Sequence, residues 1–134
     1  MKSLLSTVLI FLLIISCNSF LNTTSTTKDI LPEHAVRIAN DSLEYEILII
    51  DIGFEAYLNS IARPASFYSQ QYYETRNRLY VTEWNIRFQN PGNYDTSIYE
   101  NRIDYNFNID YGLDVNYKLY NYFKFVEYKY NQKF

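Results

Sequence analysis

The chain has 134 residues and a net charge of −3, with 48% hydrophobic, 20% charged and 19% aromatic side chains. That length is one domain's worth, the apolar content is too high for a disordered tail, and an acidic balance without a basic stripe argues against nucleic acid as a partner. The three glycines, Gly53, Gly92 and Gly112, are isolated, so there is no glycine-rich phosphate loop and no case for nucleotide binding.

The first element is an apolar run from Leu4 to Ile15 behind a single positive charge, Lys2. It is shorter than the ~20 apolar residues needed to span a bilayer and has the layout of an export signal. It ends in Ile14-Ile15-Ser16-Cys17: two aliphatic residues, a small residue and a cysteine, the pattern of a bacterial lipoprotein signal. Small Ser16 leaves the bond before Cys17 open to a peptidase. The Cys17 thiol can then accept diacylglycerol, and its freed amine a further acyl chain. Each buried CH₂ contributes ~0.8 kcal/mol and one chain alone anchors only reversibly, so three chains make dissociation negligible. The alternatives are a secretory signal cut near Ser19 and an uncleaved anchor helix. Cleavage after Ser16 would remove Lys2 and make the domain one charge more negative. It would also commit the only cysteine to lipid, leaving no disulfide and no catalytic or zinc-binding thiol. The expected organisation is a signal peptide over 1–16, a lipidated Cys17 with a flexible Asn/Ser/Thr-rich tether over 17–34, and a single domain over 35–134. His34, the only histidine, reads as a solvated residue of the tether border.

The domain opens with Val36 to Ala39, a turn cluster at Asn40-Asp41-Ser42, and Leu43 to Asp51, which predict a hairpin. The second strand begins by alternating, with Leu43, Tyr45 and Ile47 inward and Glu44 and Glu46 outward. It then becomes Ile47-Leu48-Ile49-Ile50, apolar on both sides, which predicts a central strand covered on both faces. Asp51 is positioned to cap a helix from Phe54 to about Ala62, with Phe54, Leu58 and Ile61 on one face; Arg63-Pro64 stops it. Ser69 is the expected N-cap of a longer helix reaching about Asn90, before Pro91-Gly92. Tyr73, Tyr80, Trp84 and Phe88 form its apolar stripe, Glu74–Arg78 and Glu83–Arg87 are i,i+4 pairs, and Asn77 marks a candidate break. Ile98 to Tyr105 alternates Glu100, Arg102 and Asp104 with Tyr99, Ile103 and Tyr105, which predicts a third strand pairing with the central one. From Leu113 to Asn131 strand-favouring residues conflict with a three-residue recurrence of Lys118, Asn121, Lys124 and Glu127. Length and recurrence favour a helix, apolar over most of its girth and largely buried, with Val115, Leu119, Tyr122 and Val126 along its seam. The expected fold class is therefore α+β: a small antiparallel sheet, the N-terminal hairpin plus a third strand, packed with two or three helices after a cleaved signal peptide.

Few residues carry a chemical signal. Arg63, Arg78, Glu83, Trp84 and Arg87 form a polar-aromatic set around the long helix, a candidate groove for an anionic or sugar ligand. The competing reading is internal, with arginines pairing with Glu83 and Glu74 and stacking on tyrosines. Asp104, Asn106, Asn108 and Asp110 alternate like the opening of a calcium loop, but Ile109 and Val115 stand where such loops need glycine and a bidentate glutamate; turn formation accounts equally well for these residues. Glu74, Glu83, Asp104 and Asp110 could be paired as in a glycosidase, though any acidic domain of this size offers such pairs. No cofactor is implied.

Ala62-Arg63-Pro64, Tyr68-Ser69-Gln70, Asn77-Arg78, Glu83-Trp84-Asn85 and Arg87, with Asp110-Tyr111-Gly112, Val115-Asn116-Tyr117 and Leu119 to Phe123, carry a resemblance. Together with Ile38 to Tyr45 they make the chain similar to a family of small lipoproteins of unknown function from Bacteroidetes-like bacteria. It departs at Ile52 and Phe107, where the family is expected to have proline. The resemblance implies a bacterium with two membranes and brings no catalytic residues. In such bacteria an acidic run after the lipidated cysteine tends to direct export to the surface; Asn18 to Asn22 lacks one, which implies an outer-membrane anchor facing the periplasm. The resulting expectation is a non-enzymatic envelope domain held to the membrane through lipid on Cys17, with an envelope protein or glycan as partner. The alternatives are a sugar- or peptidoglycan-binding module using Trp84 and exposed tyrosines, and a small hydrolase.

Overall fold

The computed structural model describes residues 35–134. Ser16, Cys17, the tether and His34 lie outside the described residues. Two strands, β1 (Val36–Asn40) and β2 (Tyr45–Ile49), are followed by three α-helices: α1 (Phe54–Ser60), α2 (Gln70–Phe88) and α3 (Gly112–Tyr130). Single 3-10 turns lie at Asp41–Leu43 and Ala65–Phe67. The α+β class and the helical reading of the last segment are thus observed.

The strands pair antiparallel, Val36 opposite Ile49 and Asn40 opposite Tyr45. Their turn is closed locally: Asn40 Oδ1 accepts the Ser42 N–H at 3.1 Å, and Glu44 takes the left-handed conformation at φ 51°. Ile38 and Ile49 are buried, with Val36, Tyr45 and Ile47 packed against the same core. The other face of β2 is bare, with Leu48 37% and Ile50 57% exposed. Among the described residues the sheet has two strands, so β2 is an edge strand with one covered face, rather than the doubly covered central strand its apolar run predicts.

The segment expected to be the third strand is irregular from Ile98 to Tyr105. Its alternation is real, since Tyr99, Ile103 and Tyr105 are buried while Glu100, Arg102 and Asp104 are exposed. Its backbone, however, is bonded to α2. Asn85 donates from Nδ2 to the Ile103 carbonyl and accepts the Ile103 N–H at Oδ1, both at 2.9 Å. Trp84 Nε1 donates to the Asn101 carbonyl at 2.8 Å. An amide side chain thus provides the donor and acceptor that a neighbouring strand would otherwise supply.

Asp51 does not cap α1. The N-cap is Gly53 at φ +99°, a conformation glycine adopts without the Cβ penalty. The Asp51 carbonyl accepts the Phe54 N–H, and its carboxylate accepts from Lys129 Nζ and the Tyr130 hydroxyl, tying the strand exit to the end of α3. Ile61, expected on the buried face, is exposed. Ser69 caps α2 as expected, its Oγ accepting the Tyr72 N–H at 3.2 Å. α2 runs unbroken through Asn77. Asn77 is fully buried and donates from Nδ2 to the Asn116 carbonyl at 2.9 Å. Tyr105 donates to Asn116 Oδ1 at 2.7 Å. A polar pair is thereby placed in the α2–α3 interface, where it fixes the register of the contact while Asn77 Oδ1 is left buried without a hydrogen-bond partner among the described residues.

The core is aromatic. Val115, Leu119, Phe123 and Val126 of α3 are essentially inaccessible, facing Tyr80, Val81 and Trp84 of α2. Asn121, expected on the outer face of α3, is buried as well, its amide donating to the Tyr117 carbonyl at 2.8 Å. Among the described residues no helix is long and apolar enough to cross a membrane.

Candidate functional site

The polar-aromatic set around α2 divides into three places. Arg87, Glu83 and Trp84 meet at the C-terminal half of α2. Arg87 is buried: Nε donates to Glu83 Oε1 at 2.7 Å, Nη1 to the Tyr99 hydroxyl at 2.8 Å, and Nη2 to the Lys133 carbonyl. Its guanidinium lies 4.8 Å from the Phe134 ring centroid. Trp84 is 3% exposed and stacks at 6.2 Å on Phe134. Arg78 instead reaches outward over Phe107 at 5.2 Å. Its expected partner Glu74 accepts from Gln70 Nε2 at 2.7 Å. Arg63 sits over Phe67 at 4.4 Å, its carbonyl accepting from the Tyr117 hydroxyl, and lines a separate depression beside Tyr57 and Tyr120. Arg87 and Trp84 therefore follow the internal reading, holding the C-terminal end of the chain against α2.

In the Asp104–Asp110 segment, Asn106 and Asp110 use side-chain oxygens in local turns. Asn106 Oδ1 accepts the Asn108 N–H at 3.0 Å. Asp110 Oδ1 accepts the Gly112 N–H at 2.9 Å, just before α3, and the Gln70 amide at 2.6 Å. Asp104 lies 3.8 Å from Arg102. Among the described residues no three His, Cys, Asp or Glu side chains gather as a metal cluster.

A concavity larger than the one beside Arg63 lies elsewhere, as an open groove of about 560 Å³. One wall is β2 with its flanks, Glu44 to Asp51 without a gap; a second is Ser97 and Ile98 with Glu100 to Asp104; Trp84, Tyr122 and Tyr130 complete it. Because side chains on a strand alternate between faces, a run in which every residue lines the groove marks the strand's edge rather than either face. The groove exists because Asn85 and Trp84 hold the second wall on α2, away from β2. Its sequence signal was present but pointed the wrong way: alternation in Ile98 to Tyr105 reports which side chains are buried, and carries no information on what bonds the backbone.

The groove carries an acidic rim. Glu46 is engaged by Arg37 at 3.0 Å and Asp51 by Lys129. Glu44 and Glu100 are exposed and form no ion pair among the described residues. Arg102 is the one basic residue lining it among the described residues. The phenols beside it are perturbed: burial pushes Tyr45 and Tyr122 upward, with nearby Tyr111 adding to the first and Asp51 to the second. Burial likewise pushes Tyr105 up to about 12. Each phenol thus holds its proton more tightly in the fold than in the unfolded chain. The associated stability is complete below the ordinary phenol value of ~10 and is lost as pH rises through the folded values. Alkaline titration is therefore expected to unfold the domain cooperatively above pH ~10, with tyrosinate absorbance and far-ultraviolet circular dichroism changing together. Ionisation of all phenols near the ordinary value with the dichroism intact would contradict this.

No curated protein and no solved structure matches the chain. A family of unknown function, DUF6146, is matched over residues 5–134. That match covers both walls of the groove, the buried Arg87 cluster and all but the first residue of the apolar run that precedes Cys17, and the chain belongs to the DUF6146 family.

Proposed function

We propose that this protein is a bacterial lipoprotein, anchored through acyl chains on Cys17, whose domain serves in the cell envelope as a non-enzymatic interaction module. One observation carries the anchor: Ile14-Ile15-Ser16-Cys17 closing an apolar run too short to span a bilayer. The resemblance to Bacteroidetes-type lipoproteins supports an outer-membrane position facing the periplasm.

The interaction reading draws on what the domain offers to a partner. It offers an open groove beside a sheet edge that is unpaired among the described residues, a shape suited to a chain segment. The glycan-binding alternative is less favoured because Trp84 is buried, and because Tyr68, Tyr72, Tyr73 and Tyr120 pack on one another at 4.1–6.4 Å. The hydrolase alternative is less favoured because Glu46 and Asp51, two of the carboxylates in the groove, are held in ion pairs.

The test is Cys17→Ala in the native host. The expected result is loss of radiolabelled palmitate incorporation and release of the protein from the membrane fraction, with the domain's circular dichroism unchanged. Membrane retention and labelling equal to the unaltered chain would overturn the anchor.

A further inference from the structure

The groove along β2 allows the interaction reading above, on which this inference rests, to be made specific. We propose that it receives an extended, basic segment of an envelope protein, which adds to the sheet as a third strand along the free edge of β2.

Three observations converge on that occupant. The first is the edge itself. Among the described residues β2 pairs with β1 alone, and an unpaired edge presents a row of backbone donors and acceptors that templates another strand. Its five residues offer roughly 17 Å of edge at ~3.4 Å per residue.

The second is the second wall. Ile98 to Tyr105 would be the natural strand to close this edge, yet the Ile103 peptide is bonded at both its N–H and its carbonyl by Asn85, and the Asn101 carbonyl by Trp84. The domain therefore keeps the gap open with its own core residues. An incoming strand would lay alternate side chains over Trp84 and Tyr122 and present the others beside exposed Leu48 and Ile50. This selects a segment that alternates apolar with polar residues.

The third is charge. Among the described residues the rim carries Glu44, Glu100 and Asp104 against a single Arg102, which favours lysine or arginine at the outward positions of the incoming strand. A second copy of this chain is the less favourable occupant, since its β2 would bring the same acidic rim to an already acidic groove.

The test uses the full chain and a capped peptide of alternating lysine and valine. Two controls accompany it: the same peptide with glutamate for lysine, and one with alternate backbone amides N-methylated. Binding is followed by fluorescence anisotropy, and hydrogen exchange of the β2 amides by NMR. The lysine peptide is expected to bind saturably and to slow exchange at the β2 amides that β1 leaves unbonded. The glutamate peptide, the N-methylated peptide and the variant Glu100→Lys/Asp104→Lys with the lysine peptide should each lower affinity by about tenfold or more. Absence of protection along β2, equal binding of the glutamate peptide, or formation of a β2-linked dimer in sedimentation would overturn the proposal. Cys17→Ala should leave peptide binding intact while abolishing membrane fractionation, so failure of the groove and failure of the anchor are read separately.

Discussion

Phe123→Ala is expected to destabilise the domain by about 3–5 kcal/mol, near the upper end for a single core truncation. Phe123 is fully buried and sits among four rings: Phe134 at 5.3 Å, Tyr80 at 5.4 Å, Trp84 at 6.0 Å and Tyr122 at 6.2 Å between centroids. Two effects add. The lost transfer free energy of a phenyl group is common to all such truncations. The cavity term depends on how well the surroundings collapse, and planar rings anchored at their far ends collapse poorly: the Trp84 indole is bonded to Asn101 and the Tyr80 hydroxyl to Arg76. The cavity should therefore persist. Phe123→Leu leaves a smaller void and should cost distinctly less. Ile52→Ala, at an exposed position, should fall within about 0.5 kcal/mol of the unaltered protein. Urea unfolding followed by tryptophan fluorescence measures all three. A midpoint for Phe123→Ala within error of Ile52→Ala would show that the aromatic cluster does not carry the fold. Domains of this size are stable by only ~5–15 kcal/mol, so the truncation should remove a large share of the total.

The helices and the hairpin were legible in the sequence because their signals are local. The Tyr73–Tyr80–Trp84 stripe, the Ser69 cap, Pro91-Gly92 as a stop and the Asn40-Asp41-Ser42 turn each depend on neighbours within a few positions. The last helix was legible despite strand-favouring tyrosines and phenylalanines, since the three-residue recurrence and the length outweigh propensity once an apolar face has a core to enter. What misled was partner identity. Ile47 to Ile50 reads as a central strand because hydrophobicity reports burial without saying whether another strand or solvent lies beyond, and Leu48 and Ile50 are in fact exposed. Ile98 to Tyr105 reads as a strand because its side chains alternate, although Asn85, some eighteen residues earlier, supplies its backbone bonds. The Asn77–Asn116 pair had no sequence signal, as the two lie 39 positions apart and asparagine favours turns as strongly as cores. These misses share a consequence, since the groove is the space left between a strand that proved to be an edge and a segment that proved to be docked on a helix.

Arg87→Ala is expected to cost about 2–4 kcal/mol, through partners left unsatisfied rather than through charge. The guanidinium serves three acceptors from separate parts of the chain: Glu83 one turn earlier, the Tyr99 hydroxyl and the Lys133 carbonyl. It also lies between rings, with Phe134 at 4.8 Å and Tyr94 at 5.4 Å. Removal leaves a buried phenol and a partly buried carbonyl without their donor and takes away the surface on which Phe134 rests. The ion pair itself contributes a minor share, because the Glu83 side chain is 36% exposed and water screens it. This ordering separates Arg87→Lys from the alanine variant in an informative way. Lysine keeps the charge, but its compact ammonium cannot meet three acceptors in the directions the planar fork meets them, so it should recover less than half of the loss. Glu83→Gln should cost no more than about 1 kcal/mol. In the double-mutant cycle with Tyr99→Phe, the coupling energy should be the larger fraction of what Tyr99 loses alone. Hydrogen exchange supplies the structural readout: residues 131–134 should exchange faster in Arg87→Ala through local opening, while amides at the centre of α3 should speed up only by as much as global stability falls. Full rescue by lysine would mean that charge, and not the three-way fork, holds the C-terminal end against α2.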